Sequence, residues 1–311
     1  MRIVLSTPSR KVRRTGNRCT ARQWADLFAG LGHEVRIVEI GGDDEYLDSD
    51  YLVALHAGRS HEVVRAYREA RPSGRIVVAV TGTDIYPEPD EMVLETLGRA
   101  DAIVVLQEKA LEQIPAENRG KARVIFQGAA AHQGTAQKST EYFDVCVVGH
   151  LRDVKDPLRA AAASRLLAAE SRIRIHHAGG VLDERYADLV KREQEENPRY
   201  RWLGELGGEE TAKLIASSHL LALTSFSEGG ARVVGEACVN GTPVISSFIE
   251  GVRGLLGDGY AGYYEAGDTE ELSRLLAKAE GDSGFLAALQ SAVDAAAPRF
   301  ALEREVNDWR L

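Results

Sequence analysis

Short apolar runs alternate with helix-forming stretches, break off near residue 128 and resume at Asp144; no other feature constrains this chain as much. Strands linked through helices pair parallel, so the alternation predicts doubly wound α/β sheets. The first series reads as strands Arg2–Leu5, Val35–Ile40, Tyr51–Leu55, Arg75–Val80, Ala102–Leu106 and Arg123–Phe126. Helices fall over about Thr20–Leu31, stopped by Gly32, from after His56 to Ala70, ended by Pro72, and over Glu91–Gly98. Residues 128–141 are small and polar with no period, as a linker is. The second series gives strands Asp144–Val148, Arg172–His177, Arg201–Leu203, Leu220–Thr224 and Val244–Ser246. Its helices run through Ala160–Ala169 and around Asp183–Asn197, Glu209–Ser217, Gly230–Asn240 and Glu270–Ala279. At about 150 residues per domain the 311 residues imply two domains, 1–135 and 142–297. The last stretch, 298–311, is expected to be a helix able to return to the first domain.

Composition removes several classes. With 44% hydrophobic and 27% charged residues the chain is neither disordered nor collagen-like. Apolar runs such as Ile76–Val80 fall far short of the ~20 residues of a membrane helix. The start Met-Arg-Ile-Val-Leu-Ser turns polar at once, unlike a signal peptide, so no membrane role is expected. Cys19, Cys146 and Cys238 are three, widely spaced, without a CxxC. That argues against a disulfide framework or zinc site and for a reducing cytoplasm. The net charge of −9 speaks against nucleic acid as a partner, so any anion site must be a local concentration of positive charge. Arg10, Lys11, Arg13, Arg14 and Arg18 form one within nine residues.

Three segments carry candidate chemistry. Gly149-His-Leu-Arg152-Asp-Val-Lys155 follows the second half's first strand, in a turn that faces the ligand side of an open sheet. Arg152 offers a planar fork and Lys155 a mobile charge, which together can grip a diphosphate; two solvated loop cations would read the same way in isolation. Ser225-Phe-Ser-Glu228-Gly229-Gly230-Ala231-Arg232-Val-Val-Gly-Glu236 follows strand Leu220–Thr224 and opens a helix. Its glycines let backbone N–H groups approach an anion at the helix start, and Glu236 can accept from the vicinal hydroxyls of a ribose. Both carboxylates also fit plain helix-surface roles. Thr15-Gly16-Asn17-Arg18 is a donor-rich turn leading into the first helix, suited to a phosphate-like group, or else a basic surface loop. No GxxxxGK[ST] or GxGxxG is present.

Two α/β halves, the Arg-x-x-Lys turn and Glu228-x7-Glu236 followed by Asn240-Gly-Thr-Pro-Val244 resemble the GT-B glycosyltransferases, in particular the large retaining group of sucrose-phosphate and mannosyl transferases. The resemblance implies two Rossmann-like domains facing a cleft, with a nucleotide-sugar donor on the second. It assigns the donor diphosphate to Arg152 and Lys155, the sugar to Glu228 and the ribose to Glu236, with Gly149, Gly229, Gly230 and Ala231 lining the donor. The first domain departs from the pattern: Thr81-Gly82-Thr83-Asp84 stands where many members have His-Gly-x-Asp. Threonine is no general base near pH 7, so His56 is a candidate substitute, a structural histidine being equally consistent. An acceptor already anionic needs no base.

Thr7-Pro through Arg14-Thr-Gly-Asn-Arg-x-Thr20, Ala54-Leu-His-Ala57-x-Arg-Ser60, Thr81-Gly-Thr-Asp84, Val148-Gly-His-Leu-Arg-x-Val-Lys-Asp-Pro157 and Arg199-Tyr-Arg-Trp-Leu-Gly-Glu205 resemble the selenosugar synthases of selenoneine biosynthesis. The resemblance implies transfer of N-acetylglucosamine or glucose from a UDP-sugar to selenium of selenophosphate, a hexosyl transfer. Selenophosphate is a charged, soft nucleophile that the turn Thr15, Gly16, Asn17 and Arg18 would bind and orient without deprotonation. No metal and no cofactor are expected, the UDP-sugar being a substrate. The alternatives are transfer to an oxygen of another small phosphorylated acceptor and a UDP-sugar epimerase or hydrolase. The preferred sugar, the anomeric outcome, the loss of the phosphoryl group, the oligomeric state and any part for His150 stay open.

Overall fold

The computed structural model describes residues 1–8, 15–42, 44–82 and 84–310. The chain forms two compact units: Met1–Gln127 with Glu228–Gly230 and Glu305–Leu311, and Gly128–Ser227 with Ala231–Arg304.

In the first unit β1 (Arg2–Thr7), β2 (Glu34–Glu39), β3 (Tyr51–Leu55), β4 (Arg75–Val80), β5 (Ala102–Val105) and β6 (Ala122–Val124) form one sheet in the order β2-β1-β3-β4-β5-β6. Every pairing is parallel. Alternate residues feed two cores. Ile3, Leu5, Val53 and Leu55 pack with Trp24 and Phe28 of α1 (Gly16–Gly30). Val4, Leu52, Ala54, Val78 and Val80 pack with Val64 and Tyr67 of α2 (His61–Ala70) and with Val93 and Leu97 of α3 (Glu91–Arg99). A sheet covered on both faces needs apolar residues at successive positions, which is why its strands read as unbroken apolar runs. Two short helices, α4 (Ala110–Gln113) and α5 (Ala116–Arg119), precede β6.

Helix α1 begins four residues before the position its apolar period predicts. Thr15 is its N-cap, the hydroxyl accepting from Arg18 N at 3.4 Å, so Gly16, Asn17 and Arg18 are the first helical turn rather than a loop. A first turn without apolar residues leaves no period to read.

In the second unit β7 (Phe143–Val148), β8 (Ile173–Ala178), β9 (Tyr200–Gly204), β10 (Leu220–Leu223), β11 (Val244–Ser247) and β12 (Tyr263–Tyr264) form a second parallel sheet, in the order β12-β11-β10-β7-β8-β9. Its helices are α6 (Arg159–Arg165), α7 (Arg185–Glu196), α8 (Gly208–Ser217), α9 (Arg232–Val239), α10 (Glu250–Leu256), α11 (Thr269–Gly281) and α12 (Ser283–Ala296). β12, α10 and α12 were not anticipated from the sequence. α6 stops at Arg165 instead of Ala169, and the carbonyls of Ala168, Ala169 and Ser171 are taken by the Arg199 guanidinium at 2.8–3.3 Å.

A last helix, α13 (Leu302–Asp308), precedes Trp309. The buried Glu305 carboxylate accepts from Trp24 Nε1 at 2.7 Å and from Gln23 Nε2. Trp309 meets Trp24 and Phe28 edge-on, with ring centroids 4.8 and 4.9 Å apart. Trp309→Ala therefore removes a buried aromatic anchor and is expected to cost ~3–5 kcal/mol, read as a lowered denaturation midpoint. A loss below about 1 kcal/mol would show that the terminal segment is not docked through this ring.

Strand order reverses direction between β1 and β3 in the first sheet and between β7 and β10 in the second. Such switch points open a crevice at the carboxyl ends of the two strands, where open α/β sheets bind ligands.

Candidate functional site

The second sheet's switch point carries the Arg-x-x-Lys turn. Gly149 directly follows β7 and its N–H donates to Ala178 O at 2.9 Å. Gly179 comes so close that a Cβ there would lie 1.8 Å from Gly149 O, a contact only glycine permits. Arg152 is exposed and caps the start of a 3-10 turn over Asp153–Lys155, whose last residue, Lys155, is half-buried. Thr224 Oγ1, just past β10, donates to Lys155 O and Asp156 O at 2.9 and 3.0 Å, and Phe226 N donates to Val154 O at 2.8 Å. The turn is thus tied to the strand across the switch point. Asp153 accepts from Arg185 and Tyr186, and Asp156 from Arg159 Nε at 2.6 Å. The Arg185 hydrogen bond, then that of Tyr186, holds the Asp153 carboxyl below its usual range.

His177 supports this turn from beneath. Its Nε2–H donates to Gly149 O at 3.0 Å, and Nδ1 accepts from the Tyr200 hydroxyl at 2.9 Å. Burial pushes its pKa down to about 4, against the opposing hydrogen bond to Gly149. The imidazole is therefore neutral when folded, while the unfolded chain binds its proton near 6.5. Stability from this site is full above pH 6.5 and is lost as pH falls toward 4, by roughly 3 kcal/mol in all. His177→Asn should flatten the fall in melting temperature between pH 7 and pH 4.5; an unchanged fall would exclude the imidazole as its source. The structure thus gives His177 a structural place, and His176 pairs with Asp144 at 3.0 Å.

Helix α9 supplies the rest of this half. Ala231 is its buried N-cap residue, and Glu236, one turn after Arg232, is 22% exposed. Arg232 Nε donates to Glu236 Oε1 at 2.9 Å. Asn240 Nδ2 donates to Glu236 O at 2.7 Å, and its Oδ1 accepts from His132 N.

At the first sheet's switch point His56 directly follows β3, and Arg18 lies in the first turn of α1, the helix after β1. Arg18 is 6% exposed, and its Nε and Nη1 are buried with no hydrogen-bond partner among the described residues. It is not one of a set of exposed cations, as the sequence suggested; Arg10, Lys11, Arg13 and Arg14 lie outside the described residues. Thr15 and Asn17 are half-buried and Gly16 exposed beside it. His56 sits at φ +72°, an uncommon backbone for any residue but glycine, and its Nδ1 accepts from Arg59 N at 3.3 Å. Burial pushes its imidazole below the usual range, against the pull of Asp84, whose Oδ2 is 3.9 Å from Nδ1.

Asp84 was quoted in the sequence motif without a task, and the structure supplies one. Its buried carboxylate accepts from Ala57 N at 2.8 Å, Thr81 N at 3.1 Å and Gly82 N at 2.7 Å, tying the loop after β3 to the loop after β4. The Asp two and three residues beyond a strand-end Gly and Thr is the turn chemistry that could have shown it. Gly82 takes φ +137°, open to glycine alone in practice. Thr81 Oγ1 is buried and without a partner among the described residues. Glu228, Gly229 and Gly230 group with the first unit, Glu228 half-buried. Among the described residues no cluster of His, Cys, Asp or Glu could hold a metal, and no helix is long and apolar enough to cross a membrane.

Two parallel six-stranded α/β domains define the class, the GT-B glycosyltransferase fold. The Anabaena protein Alr3699/HepE, solved with UDP-glucose, matches with TM-score 0.79 at 15% identity over 99% of this chain and 98% of its own. Sucrose-phosphate synthase from Thermosynechococcus elongatus matches with TM-score 0.80 at 15% identity over 99% and 97%. S. aureus TarM, solved as a mutant in complex with UDP, matches with TM-score 0.67 at 16% identity over 85% and 56%. Residues 130–296 match the family of glycosyl transferases group 1, and the chain belongs to that family. A search of curated proteins finds no significant sequence match.

Proposed function

We propose that this glycosyltransferase transfers a hexose, N-acetylglucosamine or glucose, from a UDP-sugar to the selenium of selenophosphate. Family membership supports the sugar transfer, and the neighbour that holds UDP-glucose supports a uridine donor. Arg152 and Lys155 take the diphosphate, backbone N–H groups around Gly149, Gly229, Gly230 and Ala231 approach it, and Glu236 accepts from the ribose hydroxyls. Glu228 takes the sugar. Selenium attacks the anomeric carbon, the carbon–oxygen bond to the β-phosphate breaks, and UDP leaves with the electron pair. Hydrolysis of the phosphoryl group is a separate step that needs water.

The observation that carries the acceptor is Arg18, a buried guanidinium whose Nε and Nη1 have no hydrogen-bond partner among the described residues, in the first turn of α1. A buried cation calls for an anion, and a helix start adds to its field. Thr15, Gly16 and Asn17 complete the subsite. The acceptor arrives ionised, so Thr81 and His56 orient it and need not remove a proton. The reaction takes place in the cytoplasm, with 1–135 as acceptor domain and 142–297 as donor domain.

Mass spectrometry after incubation with UDP-sugars, with and without selenophosphate, tests this. A selenosugar is expected only with selenophosphate. Sugar loss to water, or transfer to an oxygen acceptor alone, would overturn it. Within the site, Glu236→Gln should weaken UDP binding about ten-fold, whereas Glu228→Gln should lower kcat at nearly unchanged UDP affinity. Calorimetry with UDP beside turnover separates the two.

A further inference from the structure

Arg232 is given no task by the donor motif, and helix energetics do not account for it. It is the first residue of α9, where the helix dipole disfavours a cation. Its partner Glu236 lies four residues toward the C-terminus, the less favourable order for such a pair. Nη1 is buried with no hydrogen-bond partner among the described residues, which leaves a donor desolvated without return. Each of these three penalties is relieved by an anion at the helix start. The side chain is 30% exposed, and its Nε donates to Glu236 Oε1 at 2.9 Å.

We propose that Arg232 is a third cation of the donor site, one that binds the diphosphate of the nucleotide and links it to the ribose carboxylate Glu236. The inference rests on the donor site proposed above. Three cations then face a diphosphate, and the one on α9 is itself anchored through Nε to Glu236. Sugar nucleotides with a diphosphate should gain from it more than monophosphates do.

Titration calorimetry with UDP and UMP on Arg232→Leu, Arg232→Lys and Arg152→Ala decides the matter, with thermal melts to show that each variant is folded. Arg232→Leu should lose ten-fold or more on UDP and less than three-fold on UMP, and its UDP affinity should depend less on salt. Arg232→Lys, which keeps charge without the fork, should fall between. Unchanged UDP affinity in Arg232→Leu, or equal losses on UDP and UMP, would overturn the proposal. If Arg152→Ala weakens UDP while Arg232→Leu does not, only this inference fails; if neither does, the donor site itself is misplaced.

Discussion

Replacing Lys155 or Arg152 by alanine is expected to reduce binding or turnover of the UDP-sugar by ~2–4 kcal/mol each, about 30- to 1,000-fold. In the proposed reaction the leaving group is a diphosphate whose charge grows as the glycosidic bond breaks, and each of these two cations would meet part of that charge. Lys155 should show the larger effect on turnover. Its backbone is held by Thr224 and its neighbour Val154 by Phe226, so the ammonium starts from a fixed origin, whereas Arg152 is exposed. Thr224→Val, which removes the hydroxyl but keeps the volume, should then lower turnover several-fold through Lys155 without touching the cation itself. Steady-state kinetics with each variant checks this. Near-normal constants for both Arg152→Ala and Lys155→Ala would remove the diphosphate assignment.

Arg18→Met should move stability and function in opposite directions. The buried guanidinium has two N–H-bearing nitrogens without a partner among the described residues, and removing it should raise stability by about 1–3 kcal/mol. In the proposed acceptor site the same group would neutralise an oxyanion, so the KM for selenophosphate should rise at least ten-fold while UDP binding is unchanged. Because the side chain is 6% exposed, acceptor affinity should vary only weakly with salt, unlike a site built on surface arginines. Inorganic phosphate or thiophosphate should compete with the acceptor in the wild type and not in the variant. A variant that is less stable and binds selenophosphate normally would show that Arg18 is a packing residue.

Much of this was legible before any coordinates. The strand–helix alternation sufficed for two parallel α/β halves because both faces of each sheet are covered, which forces unbroken apolar runs such as Arg75–Val80. The Arg152–Lys155 turn and the Glu228–Glu236 segment were readable because each is a short stretch with its own spacing, placed directly after a strand. Boundaries were less legible where no apolar period marks them, as at Gly16, or where a distant side chain takes the carbonyls past a helix end, as Arg199 does beyond α6. The two-residue β12 is too short to carry any pattern.

Residue order along the chain determined which chemistry is present: the cations, the carboxylates, the glycines that admit a ligand, and the threonine in place of a histidine at 81. Tertiary structure alone decided what each group is worth. Strand order put β1 beside β3 and β7 beside β10, which sets His56 and the Gly149 turn at the carboxyl ends of switch-point strands. Burial desolvated the Arg18 guanidinium and made His177 a neutral prop, and folding brought Ala57 N to the Asp84 carboxylate, which already meets Thr81 N and Gly82 N within its own turn. Charge and hydrogen-bonding capacity are properties of a residue and can be read from its letter. Desolvation and partnership depend on what the folded chain brings within a few ångströms: Tyr200 and Gly149 reach His177, and Ala57 reaches Asp84, from more than twenty residues away in sequence.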